Sequence, residues 1–231
     1  MAVNEVVQSM TSWSIAKVFK DNTSRINGLD FDARGDFMVT SSDDETIHLY
    51  DVNSAKLRKT IHSKRYGVSL IQFTHHIPSV LCASRHPKDH AIRYLSLHDN
   101  HYLRFFEGHT QPVVSLHMAP SSDTFISGGM DFECRLWDLR NKACQAIMKT
   151  NGRPAVSYDA DGLIFIIGCG NNQVKLFDSR NYSQGPFATF TFASNQPVEW
   201  TNLSISHDGK YLLLTTNRNN IVLMDAFQGN T

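Results

Sequence analysis

Short runs of alternating or apolar residues, separated by turn-forming clusters, recur along this chain. The pattern is clearest around residue 120. Val113 to Met118, Thr124 to Ser127 and Glu133 to Trp137 are three such runs, parted by Pro120-Ser121-Ser122-Asp123 and by Gly128 to Asp131. Runs of about five residues with this punctuation predict β-strands, because a period of two sends successive side chains to opposite faces of a sheet. Triplets of this kind close on Tyr50-Asp51, Leu95-Ser96, Trp137-Asp138, Phe177-Asp178 and Met224-Asp225. A further run precedes each triplet and predicts a fourth strand per unit: Ala16 to Phe19, Leu57 to Ile61, Tyr102 to Phe106, Ala146 to Lys149 and Phe187 to Thr191. No helical period interrupts the series, and no Pro/Ser-rich linker divides it.

The units are copies of one another. Sliding Phe19 to Asp51 onto Phe106 to Asp138 without a gap gives seven identities: Phe19/Phe106, Thr23/Thr110, Leu29/Leu116, Asp36/Asp123, Asp44/Asp131, Leu49/Leu136 and Asp51/Asp138. The closing dipeptides lie 45, 42, 40 and 47 residues apart, which matches the period of about 40 to 45 expected for four-stranded propeller blades. The expected fold is therefore an all-β propeller of five four-stranded blades. It forms one domain over residues 16–231 after an N-terminal tail at 1–15, with repeats ending near 51, 96, 138, 178 and 225.

Charge and composition narrow the function classes. Twenty-two basic residues balance twenty-two acidic ones, so no overall field draws the chain to nucleic acid or to an anionic membrane, and charged recognition has to be local. The opening residues lack a basic segment followed by an apolar run, and nowhere do about 18 apolar residues follow one another. The expectation is a soluble intracellular protein. Cys82, Cys134, Cys144 and Cys169 have no CxxC spacing and sit in or near apolar runs, where a thiol behaves as a small hydrophobe rather than a metal ligand or disulfide partner.

The third unit carries the most chemistry. The Trp137 indole has one donor, the Ser127 hydroxyl accepts and donates, and His109 in the preceding loop can bond both Ser127 and the turn residue Asp131. A chain from Trp137 through Ser127 and His109 to Asp131 satisfies each polar group in turn, which predicts a structural tetrad. A Ser, a His and an Asp also invite a hydrolase reading, but no GxSxG-type turn accompanies them and Trp137 already accounts for the serine. The first unit keeps Thr40, Asp44 and Tyr50 but has Asn22 in place of the histidine, and the other units keep less. His75, His76, His86 and His90 crowd one region; His86 and His90 have the i,i+4 spacing of a helical zinc site, yet Pro87-Lys88-Asp89 between them predicts a loop. Gly168 to Asn172 leads into a strand rather than a helix N-terminus, so it is not a phosphate loop. Asp159 to Gly162 is too short for a calcium loop and is read as a turn. No metal or other cofactor is implied. The basic stretch Lys56, Arg58, Lys59, Lys64 and Arg65 ends in Tyr66. It is either a charged strand edge or a contact for an acidic or phosphorylated peptide. Lys64, Arg65 and Tyr66, with loop residues of other units expected on the same side, Arg25, Asp43, Gln111 and Met130, form the candidate partner surface.

Gly108-His109 and Trp137-Asp138 are the signature of the WD-repeat family, whose members fold as β-propellers and generally act as binding platforms. A narrower resemblance rests on Ala16 to Phe19, Tyr66 to Val68, Ile92 to Asn100, Asp123 to Gly128, Gly162 to Phe165, Gly185 to Phe190 and Asp225 to Phe227. These runs are similar to the WD-repeat subunit family of COMPASS-type histone H3 lysine-4 methyltransferase complexes. That resemblance implies a nuclear, non-catalytic scaffold. Its implied partners are the methyltransferase catalytic subunit and other complex subunits, the phosphorylated tail of RNA polymerase II, and a subunit of a phosphatase and termination complex. Direct contact with nucleic acid or membrane is not implied. A generic WD-repeat adaptor with other partners is the alternative, and a propeller enzyme the less favoured one. The resemblance also implies a seven-bladed ring, whereas this sequence ends after the fifth unit. The expectation is an open part of such a ring, with closure by pairing Ala16 to Phe19 against Asn220 to Asp225 as the other possibility.

Overall fold

The computed structural model describes residues 11–76, 78–192, 198–218 and 220–229. Its strands form successive antiparallel sheets, each a meander in chain order. The first sheet holds β1 (Ile26–Phe31), β2 (Phe37–Ser42), β3 (Thr46–Asp51) and β4 (Lys56–His62); the second holds β5 (Ile71–Phe73), β6 (Ser79–Ala83), β7 (Ile92–Ser96) and β8 (His101–Phe106). The third comprises β9 (Val113–Met118), β10 (Thr124–Gly129), β11 (Glu133–Asp138) and β12 (Asn141–Lys149), and the fourth β13 (Ala155–Tyr158), β14 (Ile164–Cys169), β15 (Gln173–Asp178) and β16 (Ala188–Thr191). In the fifth, β17 (Trp200–Ile205), β18 (Tyr211–Thr216) and β19 (Ile221–Asp225) are described. The innermost strands β1, β5, β9, β13 and β17 pack side by side in that order. This is the expected five-bladed all-β propeller.

The fourth strands differ from the sequence reading in their allegiance. Each pairs with the triplet before it: β4 with β3, β8 with β7, β12 with β11 and β16 with β15. The reason is local. A short turn such as 52–55 returns the chain beside the strand it has just left, whereas the longer segment 63–70 carries it to the next blade. Ala16 to Phe19, with no triplet before it, forms no strand and does not pair with β19.

The recurring closing aspartate has a job in those short turns. Asp51 accepts from Ser54 N at 2.8 Å, Asp138 from Arg140 N at 2.8 Å, Asp178 from Arg180 N at 2.8 Å, and Asp225 from Phe227 N and Gln228 N, each at 2.8 Å. A carboxylate that bonds the backbone two or three residues on is an Asx-type turn.

Four apolar clusters cement the four junctions between successive blades. Val39, Ile47 and Leu49 meet Val80, Cys82 and Leu95; Leu81, Ile92 and Tyr94 meet Phe125 and Trp137. Ile126, Cys134 and Leu136 meet Tyr158, Phe165 and Ile167; Ile166, Val174 and Leu176 meet Trp200, Leu212 and Met224. Middle strands of the inner blades are covered on both faces, which is why Ile164–Cys169 reads as one apolar run. The fifth blade alternates instead. Leu212, Leu214, Val222 and Met224 are buried against the fourth blade, while Tyr211, Leu213, Ile221 and Leu223 are 44 to 72% exposed. No comparable packing joins β17 back to β1 among the described residues. On the first blade the corresponding free face is covered by residues 19–23. The Phe19 and Tyr50 ring centroids lie 4.5 Å apart with the rings tilted at 49°, Asn22 bonds His48 Nδ1 at 3.0 Å, and Thr23 N donates to Asp44 at 2.8 Å.

Candidate functional site

Strands β10 and β11 and the loop after β8 bring His109, Ser127, Asp131 and Trp137 together. Trp137 Nε1 donates to Ser127 Oγ at 2.8 Å, and Ser127 Oγ lies 2.8 Å from His109 Nε2. His109 Nδ1 lies 3.0 and 3.1 Å from the two carboxylate oxygens of Asp131, which also accepts from Thr110 N at 2.9 Å. The donors sort in one direction. Ser127 receives the indole proton and gives its own to Nε2, so His109 is neutral and donates through Nδ1. Burial pushes the His109 imidazole below its ordinary value, and the Asp131 hydrogen bond opposes without overcoming it. Burial raises Asp131, but bonds from Thr110 N and His109 outweigh that and hold the carboxyl below its usual value. Ser127 has no exposed surface, so a substrate carbonyl has no route to its hydroxyl, and the Trp137 donor already occupies one of its two lone pairs. The geometry supports packing of a blade rather than acyl transfer.

The same position is built differently in the first two units. In the first, Asn22 turns to His48, and the hydroxyls of Thr40 and Tyr50 are buried without hydrogen bonds. Burial pushes the Tyr50 phenol up to about 12. In the second, Asp89 accepts from Ala91 N at 3.0 Å as Asp131 accepts from Glu133 N at 3.3 Å, but its partner is Arg93. The Arg93 guanidinium, almost fully buried, stacks 3.6 Å from the Tyr66 ring. An arginine on the strand thus stands in for a histidine in the loop. The sequence signal was present: Asp89 and Arg93 sit two residues before and two after Ala91, as Asp131 and Arg135 sit around Glu133.

All seven candidate partner residues lie on loops at the tetrad's end of the blades, but not in one patch. Asp43, Lys64, Arg65 and Tyr66 line a cleft of about 310 Å³ between the first two blades, together with Arg85, which pairs with Asp43. Arg25 is tied to that cleft through its carbonyl, which accepts from Asp43 N at 2.9 Å. Gln111 and Met130 sit apart on the third blade, where Met130 N donates to the carbonyl of Pro112 at 2.9 Å. Arg65 and Tyr66 also wall a second cavity of about 590 Å³ that runs past Lys88 and Arg93 to Gly108 and His109. The basic stretch is divided in space. Arg58 pairs with Asp51 at 3.1 Å and Lys59 Nζ donates to His98 O at 2.6 Å, both on the outer strand β4, which leaves Lys64 and Arg65 to the cleft.

The histidine cluster dissolves as well. His75 Nε2 bonds the carbonyls of Ala119 and Ser122 at 2.8 and 3.0 Å and His76 meets Asp123 at 3.3 Å, while His86 and His90 sit in the loop between β6 and β7. Among the described residues no group of three or more His, Cys, Asp or Glu is placed to hold a metal ion. Cys82, Cys134 and Cys169 are buried, Cys144 is partly so, and all are free thiols. Burial pushes the Cys82 thiol up to about 12. Asn171 and Asn172, both with φ near +60°, turn β14 into β15, and Asp159 accepts from Ile164 N at 3.0 Å to turn β13 into β14.

Successive antiparallel sheets, four of them four-stranded, with a buried Trp-Ser-His-Asp chain and turn-closing aspartates define a WD-repeat propeller. Accordingly, the family model "WD domain, G-beta repeat" matches residues 100–138, and "Anaphase-promoting complex subunit 4 WD40 domain" matches residues 4–76. WD repeat-containing protein 82 of Drosophila melanogaster is 44% identical over 229 residues, covering 99% of this chain and 72% of its own length. The chain belongs to that family. COMPASS component SWD2 of Saccharomyces cerevisiae is 36% identical, with 88% of this chain and 62% of the yeast protein covered. Set1 complex component swd2 of Schizosaccharomyces pombe is 37% identical, with 88% and 57% covered. The chain thus spans between about half and three quarters of the length of these relatives.

Proposed function

We propose that this chain is a non-catalytic scaffold subunit of a Set1/COMPASS-type histone H3 lysine-4 methyltransferase complex. The observation that carries the reading is similarity over 88% of the chain to proteins named as components of that complex in two yeasts. The closed-off Ser127 and the loop-borne clefts favour a platform over an enzyme, since a platform needs rigid blades that present variable loops. Within this reading the protein works in the nucleus and links the methyltransferase to transcribing RNA polymerase II, and it also serves a phosphatase and termination complex. Lys64 and Arg65, in the cleft with Tyr66, are the groups suited to a phosphorylated polymerase tail.

Affinity purification of the tagged chain from nuclei tests the scaffold role: the methyltransferase subunit is expected among the retained proteins. Its absence, with unrelated partners retained instead, favours the generic adaptor. For the cleft, Lys64→Glu with Arg65→Glu is expected to abolish binding of a phosphoserine tail peptide and leave the melting temperature unchanged. Unaltered affinity removes the cleft from the reading and leaves the scaffold role standing.

A further inference from the structure

Met130 and Phe132 flank Asp131 in the turn between β10 and β11, and they are 40% and 48% exposed. Asp131 holds this turn from within through its bonds to His109 and Thr110 N. Neighbouring loops hold it from outside: Met130 N donates to Pro112 O at 2.9 Å, and Thr150 N donates to Phe132 O at 2.8 Å. Phe132 has φ +60°, a left-handed conformation that bulky residues rarely adopt. The equivalent Glu45 has φ +65° and the fourth blade uses Asn171 and Asn172 near +60°, so the turn itself demands this geometry. Asn or Gly meets that demand at least cost. A half-exposed phenylalanine there adds backbone strain and gains little burial in return, a combination that points to use rather than to folding.

The turn stands at the end of a charged groove. His109, bonded to Asp131, lines the cavity of about 590 Å³ that also holds Arg65 and Lys88. Arg93 and Asp89 neutralise each other in that groove. Among the described residues Arg65 and Lys88 make no ion pair, and one acid, Glu107, lines the groove beside them. The groove therefore offers an excess of cations, and its His109 wall is bonded to the turn that carries Met130 and Phe132.

We propose that this edge docks an extended acidic peptide bearing an apolar anchor residue. Met130 and Phe132 receive the anchor, Arg65 and Lys88 receive the flanking carboxylates, and the tetrad acts as the positioning device that keeps the turn rigid. A large aromatic side chain on a fixed backbone makes an effective anchor, and the unbranched thioether beside it adapts to the shape it meets. Basic groups beside them add register and on-rate. The proposal rests on the scaffold reading in taking the peptide to be a segment of the methyltransferase subunit.

The probe is a set of overlapping peptides of about 15 residues spanning that subunit, with the intact subunit as a parallel ligand. Fluorescence anisotropy is expected to find a binding peptide with an apolar residue among acids. Phe132→Asn is expected to weaken it about tenfold or more, while the melting temperature holds or rises because asparagine fits the left-handed turn. Lys88→Glu is expected to weaken binding and flatten its salt dependence. Phe227→Ala, which removes an exposed aromatic from the turn after β19, is expected to change nothing. Retention of the intact subunit with Phe132→Asn and Lys88→Glu both silent, or with no peptide bound, overturns the docking edge and spares the scaffold role. Failure of the wild-type chain to retain the intact subunit overturns both.

Discussion

Ser127→Ala tests the tetrad most directly. The hydroxyl is buried without exposed surface, accepts from Trp137 Nε1 at 2.8 Å and meets His109 Nε2 at 2.8 Å. Removing it strands an indole donor on one side and an imidazole acceptor on the other, and the vacated volume is too small for a water to bridge them. Each orphaned group costs about 1 to 3 kcal/mol. Some relaxation of the His109 loop reduces the total, so the expected loss is about 3 kcal/mol. In a chain of this length that lowers the melting temperature by about 6 to 12 °C. Thr40→Val is the internal control. Thr40 is the equivalent residue of the first blade, its hydroxyl is buried without a hydrogen bond, and replacing it by a methyl of the same shape is expected to be neutral or stabilising.

Guanidinium unfolding followed by circular dichroism and by fluorescence gives both values, and coincidence of the two transitions licenses the two-state free energies. The double variant Ser127→Ala with Trp137→Phe adds a second check. With the indole donor gone, loss of its acceptor costs less, so the pair is expected to fall short of the sum of the single losses by about 1 kcal/mol. A Ser127→Ala loss below about 0.5 kcal/mol, or singles that add within about 0.3 kcal/mol, would refute the claim that these four residues act as one hydrogen-bonded unit.

Acid is expected to destabilise the fold in two stages. The His109 imidazole is held below its ordinary 6.5 and the Asp131 carboxyl below its ordinary 3.8, so in each window the unfolded chain binds the proton more readily. Stability is therefore complete above about pH 7 and falls as the pH drops through each window. Denaturant midpoints between pH 8 and pH 5 check this, and a midpoint that rises on acidification contradicts it. His109→Gln is expected to lower stability overall and to reduce the slope below pH 7 without removing it, because burial also holds His117 low. On the fifth blade, Leu213→Lys with Leu223→Lys places charge on the exposed apolar face. It is expected to suppress concentration-dependent self-association of the purified chain, read by light scattering, and to leave the melt intact; unchanged association assigns it to another surface.

What the sequence could show, and what it could not, follows from the range of the interactions involved. Strands β9, β10 and β11 were legible because their alternation is local, and the tetrad was legible because each of its members has few ways to satisfy its donors and acceptors. The fourth strands were visible as runs, but their partners were not. Pairing depends on which connection is short, and a reading that started each unit at Phe19 or Phe106 assigned β4 and β8 to the wrong neighbour. Arg93 escaped for a related reason: it replaces His109 from a different element, so matching columns of the repeat shows an absent histidine and hides the arginine that takes over its carboxylate. The histidine run was legible as loop because Pro87-Lys88-Asp89 breaks the helix its spacing would need, and His86 and His90 do lie between β6 and β7; nearness in sequence across β6 still places His75 at the other end of the blade. Phe132 was wholly silent. Its φ is imposed by the turn, and nothing in its residue type announces that an aromatic stands where Glu45 and Asn172 stand in other blades; only the backbone reveals the mismatch. A repeat alignment therefore finds what the blades share, and partner selectivity has to be sought where equivalent turns with the same left-handed geometry carry different side chains.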